Sequence, residues 1–258
     1  SDVCSSDLHP RWIRALGPGL ITGAADDDPS GIATYSQAGA AFGYGQLWTL
    51  TLCLPLMTAV QEAAARIGAV TGQGLARVTS EIYSRRILFG VVSLVFVANV
   101  INIAADIAAV AASIRLLVPW SEEVVAVAFV ALVVYLEVFV GYHAYARFLK
   151  SLSIALLAYV VTALLVAEPW GEIVRATVIP QFTFSSEYLF MLVAIIGTTI
   201  SPYMFFWQAA EEVEEREDAE RDGRDHRSIC SLRTDNAIGM GVSQVGSWFM
   251  MVTTATVR

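Results

Sequence analysis

Long apolar runs separated by short polar stretches dominate the chain, and they predict helices rather than strands. The first run extends from about Trp12 to Phe42 and is interrupted by Asp26, Asp27, Asp28, Pro29, Ser30 and Gly31. The second, Leu47–Val70, turns polar only near its end at Gln61, Glu62 and Arg66, where the i, i+4 spacing of Glu62 and Arg66 predicts an ion pair. A Gly72-Gln73-Gly74 loop and a short amphipathic piece to Tyr83 lead to Arg85-Arg86 and a third run, Ile87 to about Val118. In that run Asn99, Asn102, Asp106 and Ser113 are spaced 3, 4 and 7 apart, so they share one helical face. A fourth run covers Val124–Val140, with Glu137 near one end as an interfacial anchor, and a fifth covers Leu152–Ala167. Gly171 to Ser186 reads as a loop. The sixth run begins near Tyr188, is interrupted from Gly197 to Pro202 and resumes through Gln208, and a seventh starts near Asp235.

Runs of this length suit a bilayer, and in a bilayer the interruptions matter most. A carboxylate at membrane depth is costly, and irregular backbone there must line protein or water. Pro29 lacks an N–H and clashes with a continuing helix, while Ser30-Gly31 permits unwinding. Two half-helices with an acid at the break, drawn from Asp26, Asp27 and Asp28, make an ion site. On the third run Asn99, Asn102 and Ser113 read as interhelical hydrogen-bonding groups. Asp106, a carboxylate at depth, reads as a functional candidate on an ion pathway.

Composition agrees: the 258 residues are 56% hydrophobic and 16% charged, with mean hydropathy +0.59. Net charge is −8, but the acids crowd into Asp26–Asp28 and Glu211–Asp225, and no basic stripe exists to bind nucleic acid. The stretch 211–233 reads as a solvated cytoplasmic loop, with Glu211 and Glu212 as the residues best placed to be exceptions. Cys4, Cys53 and Cys230 show no metal or redox spacing. His9, His143 and His226 form no metalloenzyme motif, so no catalytic role is expected. Residues 1–8 resemble neither a signal peptide nor the sequence after them and read as a non-native or disordered N-terminus. Arginine and lysine placement puts the N-terminus in the cytoplasm of a multi-pass plasma-membrane protein, leaving Arg115 and Arg175 outside. The expected partners are the lipid bilayer and an ion, with no obligatory protein partner.

The first and sixth runs both carry a Pro-containing break (Asp28-Pro29 and Ser201-Pro202), and an odd number of spans separates their starts. This predicts an all-α membrane protein with an inverted repeat and its site between the breaks. At these residues the chain resembles the NRAMP family of divalent-metal transporters. The stretch GPGLI…DPSGIATYSQAGAAFGYGQLW is similar to that family's first helix, whose break reads Asp-Pro-Gly-Asn, and IIGTTISPYMFFWQ to its sixth, whose break holds Met-Pro-His. The resemblance implies the leucine-transporter-type fold, here truncated after about seven transmembrane segments, with residues 9–167 as the first repeat and 168–258 as an incomplete second one.

In that family the metal is held by the Asp and Asn of the first break and by a carbonyl and a Met sulfur of the sixth. The resemblance places these on Asp28, Gly31, Thr198 and Ser201 of this chain. Two ligand side chains therefore differ: Gly31 has no amide, and Ser201 offers a hydroxyl in place of a thioether. Thioethers favour softer metals and oxygen donors favour Mg²⁺ and Mn²⁺, so transport of Mg²⁺, with Mn²⁺ permitted, is expected. This is closer to the NRAMP-related magnesium transporter branch; no cofactor is implied beyond the transported cation. Proton-coupled members carry His in the sixth helix, here Tyr203 and Gln208, and an Asp…Glu pair in the third, here Asp106 and Ala109. Only Asp106 of that relay survives, which implies uniport. The alternatives are a proton-coupled Mn²⁺/Fe²⁺ transporter and a Na⁺-coupled organic-solute transporter of the same fold.

Overall fold

The computed structural model describes residues 22–23, 26–139, 157–166, 169–221 and 229–257, and no strand occurs among the described residues. Residues 1–8, the first run up to residue 21, Lys150, the fifth run before Leu157 and the stretch 222–228 lie outside them. Helix α1 is Pro29–Phe42, followed by a 3-10 turn, Gly43–Gln46, and by α2, Leu47–Thr71. Then come α3 (Leu75–Ile82), α4 (Arg85–Arg115), α5 (Glu122–Phe139) and α6 (Leu157–Leu165). The remainder is α7 (Trp170–Val178), α8 (Ser186–Thr199), α9 (Pro202–Arg221) and α10 (Ile229–Thr256).

Helix α4 carries the membrane signal most plainly. Its 31 residues extend about 46 Å at 1.5 Å per residue, and it is apolar enough to cross a bilayer. Phe89 is 75% exposed, and Leu94, Phe96 and Ile101 also point outward. A face of this kind suits hydrocarbon as its solvent. The stretch from α8 into α9, Ser186–Asp218, is the second that passes the same test of length and composition.

Three elements depart from the sequence expectation. The loop expected over Gly171–Ser186 contains α7, because Ile173 and Ala176 fall on one face three residues apart and are both buried. The acidic stretch is helical through Arg221. Arg216–Glu220 at 3.1 Å and Arg221–Glu217 at 3.4 Å are favourable i, i+4 pairs in a segment of good helix formers. Helix α10 starts at Ile229, six residues before the expected Asp235.

The chain divides into two compact units. The first holds the described residues up to Asp26, Thr49–Phe96 and Thr199–Val245. Within it α3 packs on α9, and α9 crosses α2 so closely that a Cβ on Gly68 would strike the Ala209 carbonyl. Arg216 Nη1 donates to the carbonyls of Ala69 and Val70, both at 3.2 Å, which sets a cation on the C-terminal end of α2. Glu62 pairs with Arg66 as expected and also meets Arg233 of α10 at 3.6 Å. Gln244 Nε2 donates to the Leu50 carbonyl at 2.9 Å, so α10 is also tied to the start of α2.

The second unit comprises Asp27–Trp48, Val97–Thr198 and Gly246–Arg258. Its apolar centre is Tyr188, 2% exposed. The Tyr188 hydroxyl reaches the Gly45 and Gln181 carbonyls, and Trp48 Nε1 donates to it at 3.2 Å. Phe42 meets its ring edge-on at a centroid distance of 5.4 Å. Gly43, at φ 59°, allows α1 to stop and the chain to turn under this ring. Farther along, α10 lies against α1: a Cβ on Gly39 would collide with the Met251 carbonyl and Thr254 Oγ1. Gly39→Val is therefore expected to cost about 1–3 kcal/mol in a thermal melt of the detergent-solubilised chain. Gly45→Ala, which meets nothing within 4 Å, should melt with the parent.

Candidate functional site

The first break ends sooner than its sequence suggests. Asp26 is helical, Asp27 and Asp28 are not, and α1 starts at Pro29 with Ser30-Gly31 inside its first turn. Proline at the first helical position does not break a helix, because its missing N–H is unneeded there. Asp28, extended at φ −73° and ψ 166°, caps the new helix. Its Oδ1 accepts from Gly31 N at 2.6 Å and from Ser30 Oγ at 2.8 Å.

The second carboxylate oxygen of Asp28 faces α4. Asn102 Nδ2 donates to Asp28 Oδ2 at 3.0 Å and to Asp106 Oδ2 at 3.3 Å. Ser30 N donates to Asp106 Oδ1 at 2.8 Å, and Ser30 Oγ stands 2.9 Å from Asn102 Oδ1. Helix α4 therefore delivers its polar face to the break, as the spacing of Asn102 and Asp106 implies. Ser113 does otherwise: its hydroxyl donates to Ala109 on its own helix, because at this end the residue is exposed.

The neighbouring aspartates have separate anchors, both on α10. In the first unit Ser243 Oγ donates to Asp26 Oδ2 at 2.9 Å. In the second unit Ser247 Oγ donates to Asp27 Oδ1 at 3.0 Å, and Gly246 leaves room for the Asp27 carboxylate. Sequence reading missed these partners. The signal available was the i, i+4 pair Ser243 and Ser247 in an otherwise apolar stretch.

The second break is two residues wide: α8 ends at Thr199, and α9 begins at Pro202. In a continuous helix the Thr198 carbonyl would accept from residue 202, but that residue is proline and has no N–H to give. Ser201 is 4% exposed. Tyr203 is half-buried in the first turn of α9. Gln208 is fully buried and donates through Nε2 to Glu212 Oε1 at 3.1 Å. Glu212 is itself buried, so it belongs to the packing of the first unit and departs from the solvated run around it. Among the described residues no three His, Cys, Asp or Glu side chains cluster closely enough to hold a metal by themselves. A cation held at the first break would use one or two carboxylates with neutral oxygens, a donor set suited to hard dications.

Comparison with known proteins bears on the same stretch. The sequence profile of the family described as natural resistance-associated macrophage protein-like (Nramp) matches residues 19–258. A protein of Mesorhizobium japonicum named divalent metal cation transporter MntH is 28% identical over 246 residues, covering 89% of this chain and 52% of that protein. Its namesake in Mycobacterium leprae is 26% identical, covering 99% of this chain and 60% of its own length. The chain thus spans about half the length of the curated relatives it matches. A crystal structure of the Eremococcus coleocola manganese transporter, bound to an aromatic bis-isothiourea compound, superimposes with a TM-score of 0.73 at 21% identity. That match covers 98% of this chain and 54% of the transporter, and it shows a shared fold. With its profile match running from the first break to the end of α10, the chain belongs to the Nramp family.

Proposed function

We propose that this chain is part of a secondary transporter that carries divalent metal cations across the plasma membrane, with its N-terminus in the cytoplasm. The observation that carries the reading is the pair of breaks, the first ending in Asp28 and each followed by a proline that starts the next helix. In this reading the two breaks head an inverted repeat and serve one ion site. Asp28 provides the charge, Gly31 leaves space, and the Thr198 carbonyl and Ser201 add neutral oxygens. Asp27, Asp106, Tyr203 and Gln208 line the approach.

The cation we favour is Mg²⁺, with Mn²⁺ accepted. The relatives' names speak for divalent metals in general and, in the solved structure, for manganese. The preference for Mg²⁺ rests on this chain's own residues: no thioether stands at Ser201, and a small Gly31 leaves room for an ion that keeps several waters. Titration of the purified chain with Mg²⁺ and Mn²⁺ tests the reading. Saturable binding of both is expected, and binding of neither overturns it.

Uniport is the proposed mode. A doubly charged ion moving inward across 100 mV gains roughly 4.6 kcal/mol, enough for accumulation of about a few thousandfold without a proton. The proton-coupled reading is favoured by one observation, that the titratable Asp106 is bonded directly to the first break through Ser30 N. Uptake into liposomes loaded with a pH dye separates the two. Metal entry with a steady lumenal pH is expected, and acidification in proportion to metal entry overturns uniport.

A further inference from the structure

The family resemblance pairs the aspartate of the first break with an asparagine, and this chain has Gly31 at that position. We propose that Asn102 of α4 supplies the missing amide and is a cargo ligand of the Asp28 site; the inference rests on the reading of Asp28 as the carboxylate that holds the ion. The geometry centres on one NH₂ group. Asn102 Nδ2 lies 3.0 Å from Asp28 Oδ2 and 3.3 Å from Asp106 Oδ2, so it fills the point that two carboxylates offer to a positive charge. A dication arriving there repels the N–H bonds but attracts the oxygen of the same planar group.

A half-turn of the Asn102 amide exchanges the two ends, and the Ser30 hydroxyl can bond to either. With nitrogen inward, Asn102 Oδ1 stands 2.9 Å from Ser30 Oγ. With oxygen inward, Nδ2 takes that position and donates to the Ser30 hydroxyl, which has lone pairs to receive it. The single Ser30 proton then goes to Asp28 Oδ1, already 2.8 Å away. Asp106 stays anchored by Ser30 N at 2.8 Å. The turned amide and Asp28 Oδ2 present two oxygens to the ion, with the Asp106 carboxylate beside them on the approach, so that two carboxylates face a charge of +2. A hydroxyl between a carboxylate and an amide oxygen lets the amide stay bonded to Ser30 in either orientation, the oxygen-inward one being satisfied when a cation sits between it and Asp28.

The opposing role, a strut that only holds Asp28 by donating N–H, makes the reverse prediction for one substitution. Asn102→Asp keeps an oxygen donor and loses both N–H donors. The test is Mn²⁺ binding to the whole detergent-solubilised chain, followed by electron paramagnetic resonance of free Mn²⁺, with Mg²⁺ as competitor. Asn102→Ala should weaken both ions by about 10- to 100-fold. Asn102→Asp should bind them at least as tightly as the parent. Asn99→Asp, which adds the same charge one turn away, should stay within a few-fold of the parent. Asn102→Asp binding no better than Asn102→Ala, or Asn99→Asp strengthening binding as much as Asn102→Asp, overturns the proposal. If Asn102→Ala does not fold, Asn102→Asp falling about tenfold or more below the parent is the overturning result. Asp28→Asn separates the two levels of inference. If it loses binding while Asn102→Asp is also weak, only the role of Asn102 fails. If it binds as the parent does, the Asp28 reading fails and takes this inference with it.

Discussion

Asp28→Asn is expected to leave the chain folded and to weaken dication binding by more than about 100-fold, beyond the range seen when groups supporting a metal ligand are lost. The substitution isolates charge from structure. Asp28 has a structural task as the cap of α1, accepting from Gly31 N at 2.6 Å, and asparagine caps a helix about as well. Asp28→Ala removes both tasks and should add about 1 kcal/mol of destabilisation. The difference between the two variants in a thermal melt measures the cap. Their shared loss of Mg²⁺ and Mn²⁺ binding, followed by titration calorimetry, measures the charge. An Asp28→Asn protein that binds both ions as the parent does, with an unchanged melt, leaves Asp28 as a cap and nothing more.

The second large effect is a change of preference. Ser201→Met places a polarisable sulfur where the chain now has a hydroxyl, at a residue 4% exposed beside the second break. Sulfur donors favour softer ions over Mg²⁺, so the ratio of Mn²⁺ or Cd²⁺ binding to Mg²⁺ binding should rise by about tenfold or more. The ratio is the informative quantity, because packing damage from the larger side chain lowers all three affinities together. A ratio that stays at the parent value removes Ser201 from the set of ligands and with it the argument for Mg²⁺.

The sequence was most legible where one physical cause acted alone. Helices α2, α4 and α5 follow directly from long apolar runs, and their observed limits lie within a few residues of those expected. The breaks were legible as places but not in form. Asp-Pro and Ser-Pro suggested several unwound residues, whereas proline at the head of a helix ends the first break at Asp28 and confines the second to two residues. Helix α7 was hidden because its burial depends on only Ile173 and Ala176. The helical start of the acidic stretch was hidden because charge density argued for solvent while the i, i+4 pairs argued for helix.

The site itself was half visible. Asp28 and Asp106 declared themselves as carboxylates in apolar surroundings, but they meet through Asn102, which lies 74 positions from Asp28. Periodicity can place Asn102 and Asp106 on one face of α4; it cannot say which helix that face meets. The same holds for Ser243 and Ser247, whose hydroxyls hold Asp26 and Asp27 across more than 200 positions. Gln208 was marked by family position as a lost histidine. Only coordinates reveal that its amide is spent on Glu212.

Anomalous scattering from crystals of the chain soaked in Mn²⁺ tests most directly whether a dication rests at the first break. A single peak within about 2.6 Å of the Asp28 carboxylate, the outer limit for oxygen-held dications, and within the same reach of the Thr198 carbonyl is the expected result. A peak elsewhere, with Asp28 still bonded to Gly31 and Asn102 as it is here, contradicts it.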